Sequence, residues 1–74
     1  MSSKSSDVQK KFGEKIRQER TKIGLSQEEL GFKASLDRTY ISGIERGERN
    51  PSLKIIVKVA KALKTPTFEL FKLR

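Results

Sequence analysis

The stretch SQEELGFKASLDRTYISGIERGERN, from Ser26 to Asn50, decides how the rest of the chain is read. Ser26 followed by Glu29 is a capping box, in which each side chain accepts the other residue's backbone N–H. Leu25 and Leu30 occupy the two staple positions around it, so three cues agree on a helix starting at Ser26. Asp37 repeats the device as the cap of a following helix, with Leu36 and Ile41 as a second staple. That helix runs through Ile44 to about Arg46, and Gly47 is placed to end it. Only Ala34 to Leu36 remain for the turn, and so short a link forces the two helices to pack at a steep angle.

The rest of the chain reads as scaffold. Met1 to Asp7 form a flexible tail, and residues 8–74 form a single domain. From Val8 the apolar positions Val8, Phe12, Ile16 and Ile23 follow helical spacing until Gly24 stops the first helix. Past Pro51, Ser52 caps a fourth helix with an apolar stripe of Leu53, Ile56, Val57, Ala60 and Leu63. Lys54, Lys58 and Lys61 make a solvated stripe on another face of it. Thr65 and Pro66 read as the cap and first position of a short fifth helix carrying Phe68, Leu70, Phe71 and Leu73. No β pattern appears. The expected fold is all-α, a compact five-helix bundle in which helices two and three form a helix-turn-helix, the layout that places one helix in the major groove of B-DNA.

Composition narrows the chemistry. Seventy-four residues suffice for one small domain, often marginally stable and helped by dimerisation. Seventeen Lys and Arg against nine Asp and Glu give a formal charge of +8, a field that attracts polyanions. The chain has neither cysteine nor histidine, which removes disulfides, thiolate chemistry, zinc sites and the usual general base. No nucleophile–base pair, metal-ligand cluster or glycine-rich phosphate loop is present, so neither an enzyme nor a cofactor is expected. No apolar run approaches a membrane span, the start MSSKSSD lacks the apolar stretch of a signal peptide, and a cytoplasmic protein is expected.

On the third helix Ile41 and Ile44 mark the buried side, which leaves Arg38, Thr39, Ser42, Gly43 and Arg46 outward. An Arg near the start of such a helix suits a bidentate contact with guanine O6 and N7. Thr39 offers a hydroxyl or a methyl, Gly43 a close approach, and Tyr40 lies beside the face, able to reach a phosphate or stack on a sugar. The start of the second helix presents free N–H groups to a phosphate, with Ser26 and Gln27 to assist. Arg46, Arg49 and the backbone around Asn50 follow the reading helix as clamps on its other side. Glu45, an acid on a strongly basic chain, is expected to turn inward to a cation, and Arg20 late in the first helix is the candidate partner.

From about Phe12 to Leu70 the chain resembles the Cro/repressor-type (XRE-like) helix-turn-helix regulators, whose DNA-binding domains have the phage-repressor fold. The matching residues are the LSQEEL entry, Ile41-Ser42, Ile44-Glu45-Arg46-Gly47, Pro51-Ser52 and the Ala60…Leu63 ending. The stretch LDRTYISGIERGERNPSL is similar to the controller proteins of restriction–modification systems. The resemblance implies phosphate contact at Gln27, base reading by Arg38, Thr39 and Ser42, backbone contact at Tyr40 and Arg46, and the Arg20–Glu45 bridge. Gly31 stands where the family has a very small residue that lets the motif helices close. Ser35 departs from it, standing where glycine is common. A left-handed serine is unfavourable, which leaves a different turn shape open there, although controller-like sequences tolerate serine at this position.

The expected function is sequence-specific binding of double-stranded DNA at a near-palindromic operator. The binding species is expected to be a homodimer joined through Phe68, Leu70, Phe71 and Leu73. The controller resemblance implies activation and then repression of its own promoter and that of an endonuclease gene. Glu28 or Glu29 are candidates for an RNA polymerase contact, although acids at a helix start also suit the dipole. A stand-alone repressor or antitoxin of the same fold, or a protein-interaction module, are the alternatives.

Overall fold

The computed structural model describes the backbone of residues 3–73 and the side chains of residues 7–73. Its elements are α1 (Ser3–Lys22), α2 (Gln27–Ala34), α3 (Arg38–Glu45), α4 (Leu53–Ala62) and a 3₁₀ segment, Thr67–Phe71. No strand occurs among the described residues. The chain is all-helical as expected, but four α-helices and a 3₁₀ turn replace the five helices. Pro66 flanks the last element without a capping side chain. The Thr65 N–H turns back to the Ala60 carbonyl (3.1 Å) and closes α4 instead of opening a new helix. Five uncapped residues are too few for a stable i→i−4 ladder, and the tighter i→i−3 form results.

The first helix also begins earlier than its apolar spacing suggests. Met1 and Ser2 lie outside the described residues, whereas Ser3–Asp7 are helical, not a separate tail. Apolar periodicity marks only the turns that pack on a core. No proline or glycine stands between Ser3 and Val8 to stop the helix, so it runs on beyond its apolar signal. At the other end Gly24 adopts φ +75°, and the Leu25 N–H reaches the Arg20 carbonyl at 3.0 Å. Ile23 is thereby left outside the helix and exposed.

The capping chemistry forms as read. Ser26 Oγ accepts the Glu29 N–H (3.0 Å) while Glu29 Oε1 accepts the Ser26 N–H (2.8 Å). The Asp37 carboxylate accepts the Thr39 N–H (2.9 Å), and Ser52 Oγ accepts the Ile55 N–H (3.2 Å). Leu25 and Leu36 pack on the cluster that buries Leu30 and Ile41. Between α2 and α3, Ser35 takes φ 57°, ψ 42°, the left-handed conformation that glycine favours, so the turn tolerates the serine without a change of shape. Two bonds hold it there, from the Ser35 N–H to the Phe32 carbonyl (3.3 Å) and from the Leu36 N–H to the Gly31 carbonyl (2.8 Å). A Cβ on Gly31 would stand 2.6 Å from the Leu36 carbonyl oxygen, which is why this position must be small.

Phe12, Ile16, Leu30, Ile41, Ile44, Leu63 and Leu70 form the centre of the core. On α4 the buried face is Ile56, Val59, Ala60 and Leu63, an i, i+3, i+4, i+7 set. The stripe counted from Leu53 is therefore rotated: Leu53, at the first turn, is 68% exposed, and Val59 and Ala62 are buried in its stead. α1 lies against α3 at Gly13, where any Cβ would collide with the Ile44 carbonyl. That close approach brings Arg20 within reach of the end of α3.

Candidate nucleic-acid interface

Arg38, Thr39, Ser42 and Arg46 lie one above another on the side of α3 opposite Ile41 and Ile44. Gln27, the first residue of α2, joins them, and these five side chains line one shallow cleft open to solvent. The cleft exists because the Ser35 turn sets the start of α2 beside the exposed face of α3. Arg38 is exposed at the first turn of α3, and Gln27 is half-buried beside it.

The polar groups of this face are already ordered. Thr39 Oγ1 donates to the Asp37 carboxylate that also caps the helix, and these two bonds hold the Asp37 carboxyl below its ordinary range. Arg46 Nη1 donates to Ser42 Oγ, and Arg46 Nη2 donates to Glu48 Oε1 at 3.0 Å. The Glu48 contact raises the Arg46 pKa, and reciprocally the guanidinium lowers that of Glu48. Both partners are more than half exposed, so this pair contributes little to folding. A phosphate, carrying the same charge and more acceptor oxygens, can replace Glu48 on the guanidinium.

Glu45 turns inward as expected. Arg20 Nε donates to Glu45 Oε2 at 2.6 Å and Arg20 Nη2 to Glu45 Oε1 at 2.9 Å, a bidentate pair. The side chains are 11% and 4% exposed, and Arg20 Nη1 also donates to the Leu25 carbonyl (2.8 Å). The hydrogen bond to Glu45 raises the Arg20 pKa against the opposing effect of burial. One guanidinium thus joins α1, the end of α3 and the entry to α2.

Other expected site residues fall elsewhere. Ser26 is committed to its capping box and does not line the cleft. Gly43 is buried, not outward as expected. It sits under the Arg49 side chain, whose Cγ would be 2.9 Å from a Cβ at that position. Arg49 in turn lays its guanidinium 4.9 Å from the centroid of the Tyr40 ring, so Tyr40, Gly43 and Arg49 form a unit on the flank of α3. Asn50 is exposed on the following loop and borders a separate apolar cleft with Val8, Phe12, Pro51 and Ile56.

Two features escaped the sequence. Gln27 Nε2 donates to Glu45 Oε1 at 2.9 Å, which depends on the steep angle between α2 and α3 and has no sequence signal of its own. Glu48 was visible as an acid two residues beyond Arg46, but only the geometry shows the pairing.

At the C-terminal end Phe68 and Phe71 are 66% and 50% exposed. The Phe71 ring lies 5.7 Å from that of Phe12, and Lys72 Nζ sits 5.6 Å above the Phe68 ring. Leu73 is half-buried against the core. Leu70, expected at the dimer seam, has no exposed surface and belongs to the chain's own core, because the 3₁₀ turn aims it inward. None of the helices, among the described residues, is long and apolar enough to cross a membrane.

A family model described as Helix-turn-helix matches residues 16–70. The chain is 58% identical over 53 residues to the control protein C.BamHI of Bacillus amyloliquefaciens, a match covering 70% of this chain and 65%, just under two-thirds, of that protein. Its structure is similar to that of the restriction–modification controller protein C.AhdI from Aeromonas hydrophila. There the TM-score is 0.85 and the identity 52%, over 88% of this chain and 97% of that one. It is also similar to the restriction–modification controller protein C.Esp1396I, solved as a tetramer in complex with its natural 35 base-pair operator. That match has a TM-score of 0.81 and 38% identity over 88% and 86% of the two chains.

Proposed function

We propose that this chain, which belongs to the helix-turn-helix family, is a sequence-specific DNA-binding transcriptional regulator of the restriction–modification controller type. The observation that carries the reading is the single cleft lined by Gln27, Arg38, Thr39, Ser42 and Arg46, five polar side chains on one exposed face of a basic chain. α3 enters the major groove with Arg38 directed to guanine and Thr39 and Ser42 to neighbouring base edges. Gln27 and Arg46 hold phosphates on either side, and the Tyr40–Arg49 unit contacts the backbone along the flank. The controller role is supported by 52% identity to a restriction–modification controller over 97% of that chain's length.

Two copies pair through the exposed rings of Phe68 and Phe71, with Leu73 at the margin and Leu70 supporting the surface from behind. A two-fold pair sets the two α3 helices about one DNA turn apart and selects a near-palindromic operator. As the protein accumulates it first activates and then represses its own promoter and that of the endonuclease gene. Of the two acids at the start of α2, Glu29 is engaged in the capping box, which leaves exposed Glu28 for RNA polymerase. A Glu28→Gln variant that binds DNA normally is expected to lose activation, and unchanged activation removes that contact.

Selection of bound duplexes from a random pool at two salt concentrations tests the reading. The expected result is a two-fold symmetric motif whose binding falls steeply with salt, because phosphate contacts release counterions. Weak binding to all sequences would reduce the reading to generic polyanion attraction. By analytical ultracentrifugation, Phe71→Arg is expected to be monomeric. A dimeric variant would move the seam elsewhere.

A further inference from the structure

The Gln27 side chain stands between a structural ion pair and the proposed DNA face. Glu45 is almost wholly buried, and its two oxygens accept three hydrogen bonds, two from Arg20 and one from Gln27 Nε2. A carboxylate has only acceptors, so the Gln27 amide can meet it in one orientation alone, with nitrogen inward. The opposite orientation would set the amide oxygen against a buried anion. Gln27 makes no other side-chain hydrogen bond among the described residues, which leaves its second Nε2–H and its carbonyl oxygen unengaged at the cleft. It is also the first residue of α2, where the capping box engages the Ser26 and Glu29 N–H groups, the Gln27 and Glu28 N–H groups have no partner among the described residues, and the dipole end is positive.

We infer that Glu45 is a positioning residue for DNA binding: it fixes the Gln27 amide so that the remaining N–H is presented, already ordered, to a DNA phosphate at the start of α2. The inference rests on the DNA-binding reading above but adds a function to an ion pair that otherwise ties α1 to the end of α3 and the entry to α2. A free glutamine must be immobilised when it binds, and that entropic cost opposes association. Here Arg20 orders Glu45, and Glu45 orders Gln27, before DNA arrives. Since glutamine is neutral, the contact adds affinity without releasing counterions through charge, and it leaves the salt slope unchanged.

A double-mutant cycle on operator binding tests the inference, measured well below the melting temperature of each variant. Gln27→Ala is expected to weaken binding on the order of tenfold, the usual range for one hydrogen bond to a charged group, with the salt slope retained. Glu45→Gln is expected to weaken binding severalfold in the native background and hardly at all in the Gln27→Ala background, although it lowers the melting temperature in both. Multiplying effects would overturn the inference, because Glu45 would then act on binding through stability alone. Should Glu45→Gln not fold, the native chain supplies the answer by NMR. One Gln27 side-chain amide proton is expected to be shifted and slow to exchange, unlike those of exposed Gln18. Two freely exchanging Gln27 protons would overturn the inference. This second measurement needs no DNA, so absence of any operator would refute the DNA-binding reading and leave the hold on Gln27 separately decided.

Discussion

The motif from Ser26 to Arg46 and the C-terminal segment from Thr65 to Leu73 are both built of short helical turns, but different forces hold them. In the motif each helix carries its own cap: the Ser26–Glu29 box, then the Asp37 carboxylate. The C-terminal segment has no capping side chain. It is held by the burial of Leu70, the tilted contact of the Phe71 ring with Phe12, and ion pairs from Glu69 to Lys15 (3.6 Å) and Lys72 (3.2 Å). The first region is specified by neighbours in sequence and the second by neighbours in space. A reading surface needs a fixed shape before its partner arrives, and local caps supply one. A pairing surface of the kind proposed for the segment can take its final shape against its partner, and a segment anchored by one buried side chain leaves its other rings available for that.

The largest effect expected from this difference is at Leu70. Leu70→Ala removes the one fully buried side chain of the segment and is expected to cost about 2–5 kcal/mol, measured by denaturant unfolding. For a domain of this size that is a large share of the total stability. Phe68→Ala, at a ring 66% exposed, is expected to leave monomer stability within about 0.5 kcal/mol and to weaken dimerisation. If both variants unfold equally, the segment is not hung from Leu70.

The caps of the motif should matter less individually. Asp37→Ala is expected to cost about 1 kcal/mol of folding stability and to weaken operator binding further, since the same carboxylate holds Thr39. Its pH dependence has a definite sign. The Asp37 carboxyl is held below its ordinary value by Thr39, and Glu29 is held low by the Ser26 N–H and hydroxyl. Their contributions are therefore complete above the unfolded values, about 4, and are lost as pH falls toward the depressed folded values. In acid titrations followed by circular dichroism, Asp37→Asn should flatten the loss of stability below about pH 4. An unchanged acid limb would mean that the cap contributes nothing.

The same division explains how much could be read in advance. The caps at Ser26, Asp37 and Ser52, the staple leucines and the inward turn of Glu45 were legible because each depends on residues a few positions apart or on charge contrast. The 3₁₀ form of the last element and the burial of Leu70 were not, because an uncapped pentapeptide takes its shape from the surface beneath it. The rotation of the α4 stripe escaped for a related reason. Leu53 fits the period but lies beyond the end of the core, and periodicity does not say where the core stops. In the candidate site, Arg38, Thr39, Ser42 and Arg46 were legible from the helical wheel. Gly43 was misplaced because Arg49, six residues on, folds back across it, and Gln27–Glu45 was missed because it spans two helices.

The smallest expected effects lie at a feature the two regions share. Ser35 after α2 and Lys64 after α4 both adopt left-handed conformations, φ 57° and 58°, and both are followed by a residue whose N–H reaches five positions back. In the motif Leu36 bonds to Gly31, and at the head of the segment Thr65 bonds to Ala60. A side chain in this region costs roughly 1–2 kcal/mol relative to glycine, but glycine loses more freedom on folding, by about 0.5–1 kcal/mol. Ser35→Gly and Lys64→Gly are therefore each expected to stabilise by less than about 1 kcal/mol in thermal unfolding. Their consequences for function should diverge. The motif turn lies between two capped helices and beside the close Gly31–Leu36 contact, so Ser35→Gly should leave operator affinity unchanged. Lys64 joins α4 to a segment with no cap of its own, so freeing its backbone should loosen the seam and weaken dimerisation despite the gain in the monomer. Equal behaviour at the two sites would show that the motif and the segment are held by the same kind of force after all.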